Sequence, residues 1–311
     1  MSTEELLPVW RSMLFVPVTV EKFVARAADR GADALILDLE DSVPAAEKPR
    51  ARTLLQQAAK EVARRGADVV VRINRPWRMA IADVEAAVSP QVQALMLTKV
   101  ESADHVRMVA EIVDELEVER GMAPSTTRLV ALIETAGAFF HMAEIARAHP
   151  RLVGLSVGAE DFALALGMLP EAEGLLYPKQ QMIIAARAAG ILPLGFIGTV
   201  AEFRDLDAFR ATIRRSRRLG FAGASCIHPA QVGILNEEYR PSAEEVGHAQ
   251  RVSDAYQAAL AGGIGAIELD GKMVDVPVVE RARQVLARHQ AIVTREARAG
   301  GGSPDRAAQP C

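Results

Sequence analysis

Cysteine is nearly absent from this chain: Cys226 and the C-terminal Cys311 are its only two in 311 residues. Two such cysteines make no disulfide framework, and a reducing compartment, the cytoplasm, is expected. An excess of basic charge is also missing. The 36 Lys and Arg residues face 40 Asp and Glu, a net charge of −4. The overall balance therefore points to neither nucleic acid nor anionic lipid, although local basic clusters could still hold a phosphorylated ligand. No apolar run approaches the ~18 residues of a membrane span. The opening segment MSTEELLPVWRS is acidic and lacks an apolar stretch, so no signal peptide is expected. Histidine pairs at metal spacing and cysteine clusters are missing, which argues against zinc. No Gly-rich phosphate loop of Walker or Rossmann type stands at a strand–helix junction, so a nucleotide-like ligand would be held by side chains.

What remains is an ordinary globular composition, 50% hydrophobic and 24% charged. Short β-branched apolar runs alternate with longer amphipathic segments. The runs cover residues 13–18, 34–40, 68–74, 94–100, 128–135, 152–158, 193–199 and 224–229. Each is nearly all apolar, as strands of a parallel sheet buried on both faces must be. The segments between them, such as VEKFVARAADRG and ADHVRMVAEIVDELEVERG, read as helices ending on a basic residue and Gly. About eight βα units fit an α/β fold of the (β/α)8 TIM-barrel type, which needs ~250 residues. A doubly wound open sheet is the competitor. The barrel is favoured because polar residues, among them Asp38, Glu40, Arg72, Asn74, Lys99, Glu134 and His228, close many different runs at their C-terminal ends. An open sheet would gather them at one switch point.

After residue 240 the pattern changes to a helix, a hairpin turning on Asp270-Gly271 and a second long helix. The expected organisation is a barrel over 1–240, a C-terminal helical arm over 241–297 and a Gly/Ser/Pro-rich disordered tail over 298–311.

Glu134 closes one run and Asp161 follows the next, 27 positions later, about one βα unit. Both could reach one barrel mouth, where two hard oxygen ligands leave room for the waters that Mg2+ keeps. Either could instead cap the helix that follows its strand. Glu160 competes with Asp161 for the role, and spacing alone does not separate them. Arg72 is flanked by apolar residues and needs an anion, either a substrate carboxylate or oxyanion, or Asp38 and Glu40 within the fold. Asp38 and Glu40 share a strand face and read as supports for metal waters or for Arg72, with Glu40 also open as a direct ligand. Lys99 suggests a Schiff base, but a carboxylate-rich mouth favours an ion pair. Cys226 and His228 share a face without an orienting acid, which favours a buried thiol and a hydrogen-bonded imidazole over a nucleophilic pair. Lys22 with Arg26, and Lys48 with Arg50 and Arg52, are solvated surface or phosphate contacts.

Taken together, RSMLFVP, GADALILDLEDSV, VVVRIN, LTKVES, ALIETAGAF, VGAEDFA, LGFAGASCIHPAQV and DGKMVDVP resemble the citrate lyase β-subunit-like (CoA-ester lyase) family of the HpcH/HpaI aldolase superfamily. These stretches span roughly residues 11–290. The resemblance implies a (β/α)8 barrel in homotrimers or hexamers. It implies a Mg2+-dependent lyase that cleaves or forms 3-hydroxyacyl-CoA esters of malyl-CoA or citramalyl-CoA type, with glyoxylate or pyruvate as the 2-keto acid, and in some members hydrolysis of the thioester. By position, Glu134 and Asp161 are similar to the family's Mg2+ ligands, and Arg72 to the arginine at the thioester carbonyl and substrate carboxylate. Phe15, Lys22 and Arg26 resemble residues along the coenzyme A path, and Ile227 and His228 the loop over it. Asp275 resembles an aspartate that the arm, packed on a neighbouring subunit, carries into that subunit's site. Other implied forms are a citrate lyase β-type subunit working on an acyl-carrier protein and a CoA-independent 2-keto acid aldolase. The chain departs from the pattern at Val18, at Gly223-Ala224 and in the run 193–199, which lacks an Asp. All three lie around the acyl and coenzyme A pockets.

Overall fold

The computed structural model describes residues 7–200 and 204–300, and the chain divides into two compact units after Tyr239. The first holds eight parallel strands: β1 (Ser12–Pro17), β2 (Ala34–Asp38), β3 (Asp68–Ile73), β4 (Ala94–Leu97), β5 (Arg128–Ile133), β6 (Leu152–Val157), β7 (Leu192–Leu194) and β8 (Ala224–Cys226). They pair in the order β7-β6-β5-β4-β3-β2-β1-β8. A parallel bridge between Leu194 and Gly223 brings the two ends of that order together, and the Gly195 N–H donates to the Gly223 carbonyl at 2.8 Å. The result is the (β/α)8 barrel expected from the alternating runs.

The outer helices are α1 (Glu21–Ala27), α2 (Lys48–Ala63), α3 (Trp77–Ala87), α4 (Ala103–Glu119), α5 (Ala136–Phe140), α6 (Met142–Ala146), α7 (Ala159–Leu166), α8 (Ala172–Ala188), α9 (Leu206–Leu219) and α10 (Ala230–Glu238). Their apolar faces meet the outward strand residues, such as Leu35, Leu37, Val69 and Val71, in one large core. The inward residues, Met13, Ile36, Val70, Met96, Val130 and Leu194 among them, fill the barrel. Each fully buried Val, Leu or Ile contributes ~1.5–3 kcal/mol.

The period of two places the site. Because Ala34 and Ile36 point inward, so does Asp38. Because Val70 points inward, so does Arg72, and the register sets Asp38 opposite Arg72. At the opposite end the barrel is closed by a buried two-bond pair between Arg11 and Asp33, both contacts 2.8 Å. Removing one partner of such a pair costs ~3–5 kcal/mol. Gly223 is required where β8 meets β1, since a Cβ there would collide with the Trp10 carbonyl.

The second unit contains α11 (Ala243–Ala261), β9 (Ile267–Leu269), β10 (Lys272–Val274) and α12 (Val276–Gly300). Ser242 and Glu245 form a capping box at the start of α11. The hairpin turns on Asp270 (φ 53°) and Gly271 (φ 72°), the left-handed pair that a tight two-residue hairpin needs. Val252, Tyr256, Val274 and Val279 are its core. The sequence EARA is helix-forming, so α12 runs to Gly300, past the boundary expected at 297. Residues 301–311 of the expected tail lie outside the described residues.

Candidate functional site

A cavity of about 810 Å3 opens at the C-terminal end of the strands. Phe15, Arg72, Met96, Leu132 and Ser156 line it from the barrel side, and the loops after the strands complete its wall.

Arg72 grips Asp38 with a planar fork: Nε donates to Oδ1 and Nη2 to Oδ2, both at 2.7 Å. Its Nη1 lies 3.0 Å from Glu40 Oε2, and the guanidinium sits 4.8 Å from the centre of the Phe15 ring. Asp38 also accepts the backbone N–H groups of Glu40 and Ser42, at 2.9 and 3.1 Å, which fixes the turn of DLEDS. Burial works to raise the Asp38 carboxyl, but the Arg72 fork outweighs it and holds the group below its ordinary value. Both readings of Arg72 thus meet in one place. It is an internal ion pair that also faces the cavity.

Glu134 is buried at 3% exposure. Its Oε2 accepts the backbone N–H of Lys99 at 2.5 Å, and its other oxygen has no protein donor among the described residues. Burial pushes its carboxyl up to about 7. Gly158 makes room for it, since a Cβ there would overlap the carboxylate. Asp161 stands in the first turn of α7, where the helix dipole favours a negative charge. Lys99 joins the two acids: its Nζ donates to Glu40 Oε1 at 2.8 Å and lies 3.5 Å from Asp161 Oδ1. Lys99 has φ +48°, a left-handed backbone that costs a non-glycine residue about 1–3 kcal/mol. That bend aims its N–H at Glu134.

Among the described residues no group of three or more His, Cys, Asp or Glu gathers in a metal-holding arrangement. Two carboxylates do converge, one buried with an undonated oxygen and the other at a helix N-terminus. This donor set suits a hard divalent cation that keeps several waters. Glu160, the rival to Asp161, lines the same cavity and accepts the Thr199 hydroxyl.

Ile227 and His228 line the cavity, as do Phe23, Arg26 and Arg30 of the first βα segment. Phe23 and Arg26 stand on α1, and Arg30 ends the 3-10 turn that follows it. Lys22, one turn before Arg26, is exposed with its ammonium 5.2 Å from the Phe23 ring, and it is not among the residues of the wall. The other basic patch is committed to the fold. Lys48 caps the Leu39 and Glu40 carbonyls at 2.9 and 2.8 Å, and Arg52 pairs with Asp83 at 2.6 Å. Burial pushes the Cys226 thiol up to about 12, which disqualifies it as a nucleophile. The His228 Nδ1 accepts the Ala230 N–H at 3.2 Å. Asp275 belongs to the second unit, where its Oδ1 accepts the Val278 N–H at 3.4 Å at the start of α12.

One lining residue carried no sequence signal. Lys179, 4% exposed, reaches from α8 to the Phe196 and Gly198 carbonyls at 2.6 and 2.5 Å. Burial pushes its amine down to about 7, and a neutral amine has two N–H groups for these two acceptors. The folded state binds the Lys179 proton less tightly than the unfolded chain. Stability from this group therefore rises with pH between about 7 and the ordinary lysine value of 10.5. Denaturation midpoints should show wild type gaining on Lys179→Met as pH is raised from neutral into that window. Parallel pH profiles would mean that the amine titrates normally.

The family model for HpcH/HpaI aldolase/citrate lyase matches residues 11–229. The chain is 36% identical over 291 residues to the citrate lyase subunit beta of Escherichia coli (strain K12), covering 92% of this chain and 95% of that one. It is 35% identical over 286 residues to a (3S)-malyl-CoA thioesterase of Cereibacter sphaeroides (strain ATCC 17029), covering 91% and 95%. Among solved structures, protein CitE from Mycobacterium tuberculosis in complex with magnesium, acetoacetate and coenzyme A is 32% identical. It aligns with a TM-score of 0.70 over 90% of this chain and 97% of that one.

Proposed function

Because this chain belongs to the HpcH/HpaI aldolase/citrate lyase family, we propose that it is a Mg2+-dependent CoA-ester lyase. The reaction is reversible aldol/Claisen cleavage of a 3-hydroxyacyl-CoA of malyl-CoA or citramalyl-CoA type. The observation that carries this reading is the convergence of Glu134 and Asp161, from successive βα units, on one lysine at the barrel mouth. Glu134 and Asp161 hold the metal. When bound, Mg2+ supplies a Lewis acid for the carbonyl of the 2-keto acid, glyoxylate or pyruvate. Arg72, fixed by Asp38 and backed by Phe15, presents its guanidinium to the thioester oxygen, where negative charge develops as the acyl carbon becomes an enolate. Asp38 and Glu40 keep that guanidinium in place. Arg26, with Phe23 and Arg30 beside it, flanks the path of the phosphorylated coenzyme A.

Asp275 moves the proton at the acyl methyl, or activates water in a hydrolytic variant. It does so in the site of a neighbouring subunit of a homotrimer or hexamer. Mixing inactive Asp275→Ala and Glu134→Ala proteins should then restore partial activity after subunit exchange, because some hybrid interfaces pair an intact barrel with an intact arm. No recovery despite demonstrated exchange removes Asp275 from a neighbour's chemistry.

The test of the function is a panel of malyl-, citramalyl-, β-methylmalyl- and citryl-CoA with Mg2+, following free CoA and keto acid separately. Keto acid without free CoA marks the lyase. Free CoA without keto acid marks the thioesterase, the activity named for the Cereibacter relative. The citrate lyase subunit beta relatives favour a second reading, a subunit acting on an acyl-carrier thioester. That form turns over the carrier substrate and leaves the free CoA esters intact.

A further inference from the structure

Lys99 is unusual in both its backbone and its surroundings. Its left-handed φ of +48° is held from two sides. The N–H is taken by Glu134 Oε2 at 2.5 Å, and the carbonyl accepts Arg75 Nε at 3.2 Å. Arg75 in turn lies 5.1 Å from the Trp77 ring, which packs 4.9 Å from His105. The backbone is therefore clamped, and the side chain starts from a fixed point. From there the ammonium reaches Glu40 at 2.8 Å and Asp161 at 3.5 Å. One residue thus touches Glu134 with its backbone and the other two acids with its side chain. The nearby Arg72 Nη1 serves the far oxygen of Glu40, so Glu40 is shared between two cations, whereas the ammonium's hold on Asp161 is the longer and looser contact.

We propose that Lys99 is a positioning residue of the metal site: its ammonium and the divalent cation are alternative partners of Asp161, and Lys99 thereby sets how tightly the metal is held. The inference rests on the reading of Glu134 and Asp161 as metal ligands. Two cations cannot both approach one carboxylate oxygen closely without repelling each other. Glu40, at 2.8 Å, is the anchor that keeps the ammonium when Asp161 turns to the metal. The backbone N–H to Glu134 is unaffected by that exchange. Lys99 therefore preorganises one ligand while competing for the other. An ammonium placed between two carboxylates acts on them by its charge, and that geometry is what gives Lys99 an electrostatic role.

The experiment is calorimetric titration of the full chain with Mg2+, paired with thermal melts with and without the ion. Lys99→Met removes the ammonium and keeps the strained backbone. Lys99→Gly removes it while relaxing the left-handed φ, so it covers the case in which the Met variant does not fold. Lys99→Arg keeps the charge. Losing a unit charge a few ångströms from a cation site should tighten Mg2+ binding by ~10-fold or more in the Met and Gly variants, and enlarge the Mg2+-induced rise in Tm. The Arg variant should stay near wild type. Unchanged or weaker Mg2+ affinity in the Met and Gly variants, beside a wild type that binds, overturns the role of Lys99 alone. A wild type that takes up no Mg2+ overturns the metal reading, and this inference with it.

Discussion

Glu134→Gln and Asp161→Asn should each abolish measurable Mg2+ binding and turnover. Mg2+ demands near-octahedral oxygen ligation and sheds its waters reluctantly, so a site with only two protein carboxylates has no spare anionic ligand. Glu40 lies between two cations, its Oε1 accepting from Lys99 Nζ at 2.8 Å and its Oε2 3.0 Å from Arg72 Nη1, and is expected to support them rather than replace a lost ligand. The Gln variant is also the cleaner of the two structurally. It fills the same space over Gly158 and keeps an acceptor for the Lys99 N–H. Its stability should move in the opposite direction to its activity. Burial pushes the Glu134 carboxyl up to about 7, so above that pH its ionisation weakens the metal-free fold relative to the unfolded chain. At pH 8 without metal, Glu134→Gln should melt at or above the wild-type temperature while binding no Mg2+. That combination separates loss of a ligand from loss of the fold. Wild-type turnover of both variants in EDTA would end the metal assignment.

The parts of this site at strand ends were legible because polar residues close apolar runs. Asp38, Arg72 and Glu134 each end such a run, which places them at the barrel mouth. That Asp38 and Arg72 stand side by side on β2 and β3 comes from the strand register, which runs apolar on both faces do not encode. Residues carried by helices were legible only in part: Asp161 on α7 and Arg26 on α1, which line the cavity, stood out in the sequence, but Lys179 on α8 did not. Lys179 stands in α8 one residue after Pro178, and its arrival at the cavity depends on how that helix lies across the barrel, which no local pattern encodes. Lys22 and Arg26 are one turn apart, but the cavity is lined by Phe23, Arg26 and Arg30 and not by Lys22. The left-handed backbone of Lys99 was hidden too. It occupies a conformation that its residue type does not favour, imposed by the contacts on either side of it.

Arg72→Lys should be nearly as damaging as Arg72→Ala, with kcat/KM falling by ~10²-fold or more in both, the scale of a lost oxyanion donor. The reason lies in what one guanidinium does at once. Two parallel 2.7 Å bonds to Asp38 fix its plane, the Phe15 ring 4.8 Å away supports its face, and Nη1 remains directed toward Glu40 and Asp41 at the cavity edge. A lysine ammonium is a point charge on a flexible stem. It can answer Asp38 or the substrate, but not both with fixed geometry. The two variants part in stability. Alanine leaves Asp38, 1% exposed, as a buried charge without its partner, a loss of ~3–5 kcal/mol, whereas lysine retains a counter-charge. Melting temperatures should therefore rank wild type, then Lys, then Ala, while the two activities fall together. If Arg72 were an ion pair of the fold and nothing more, activity would follow stability, and the lysine variant would turn over at the wild-type rate.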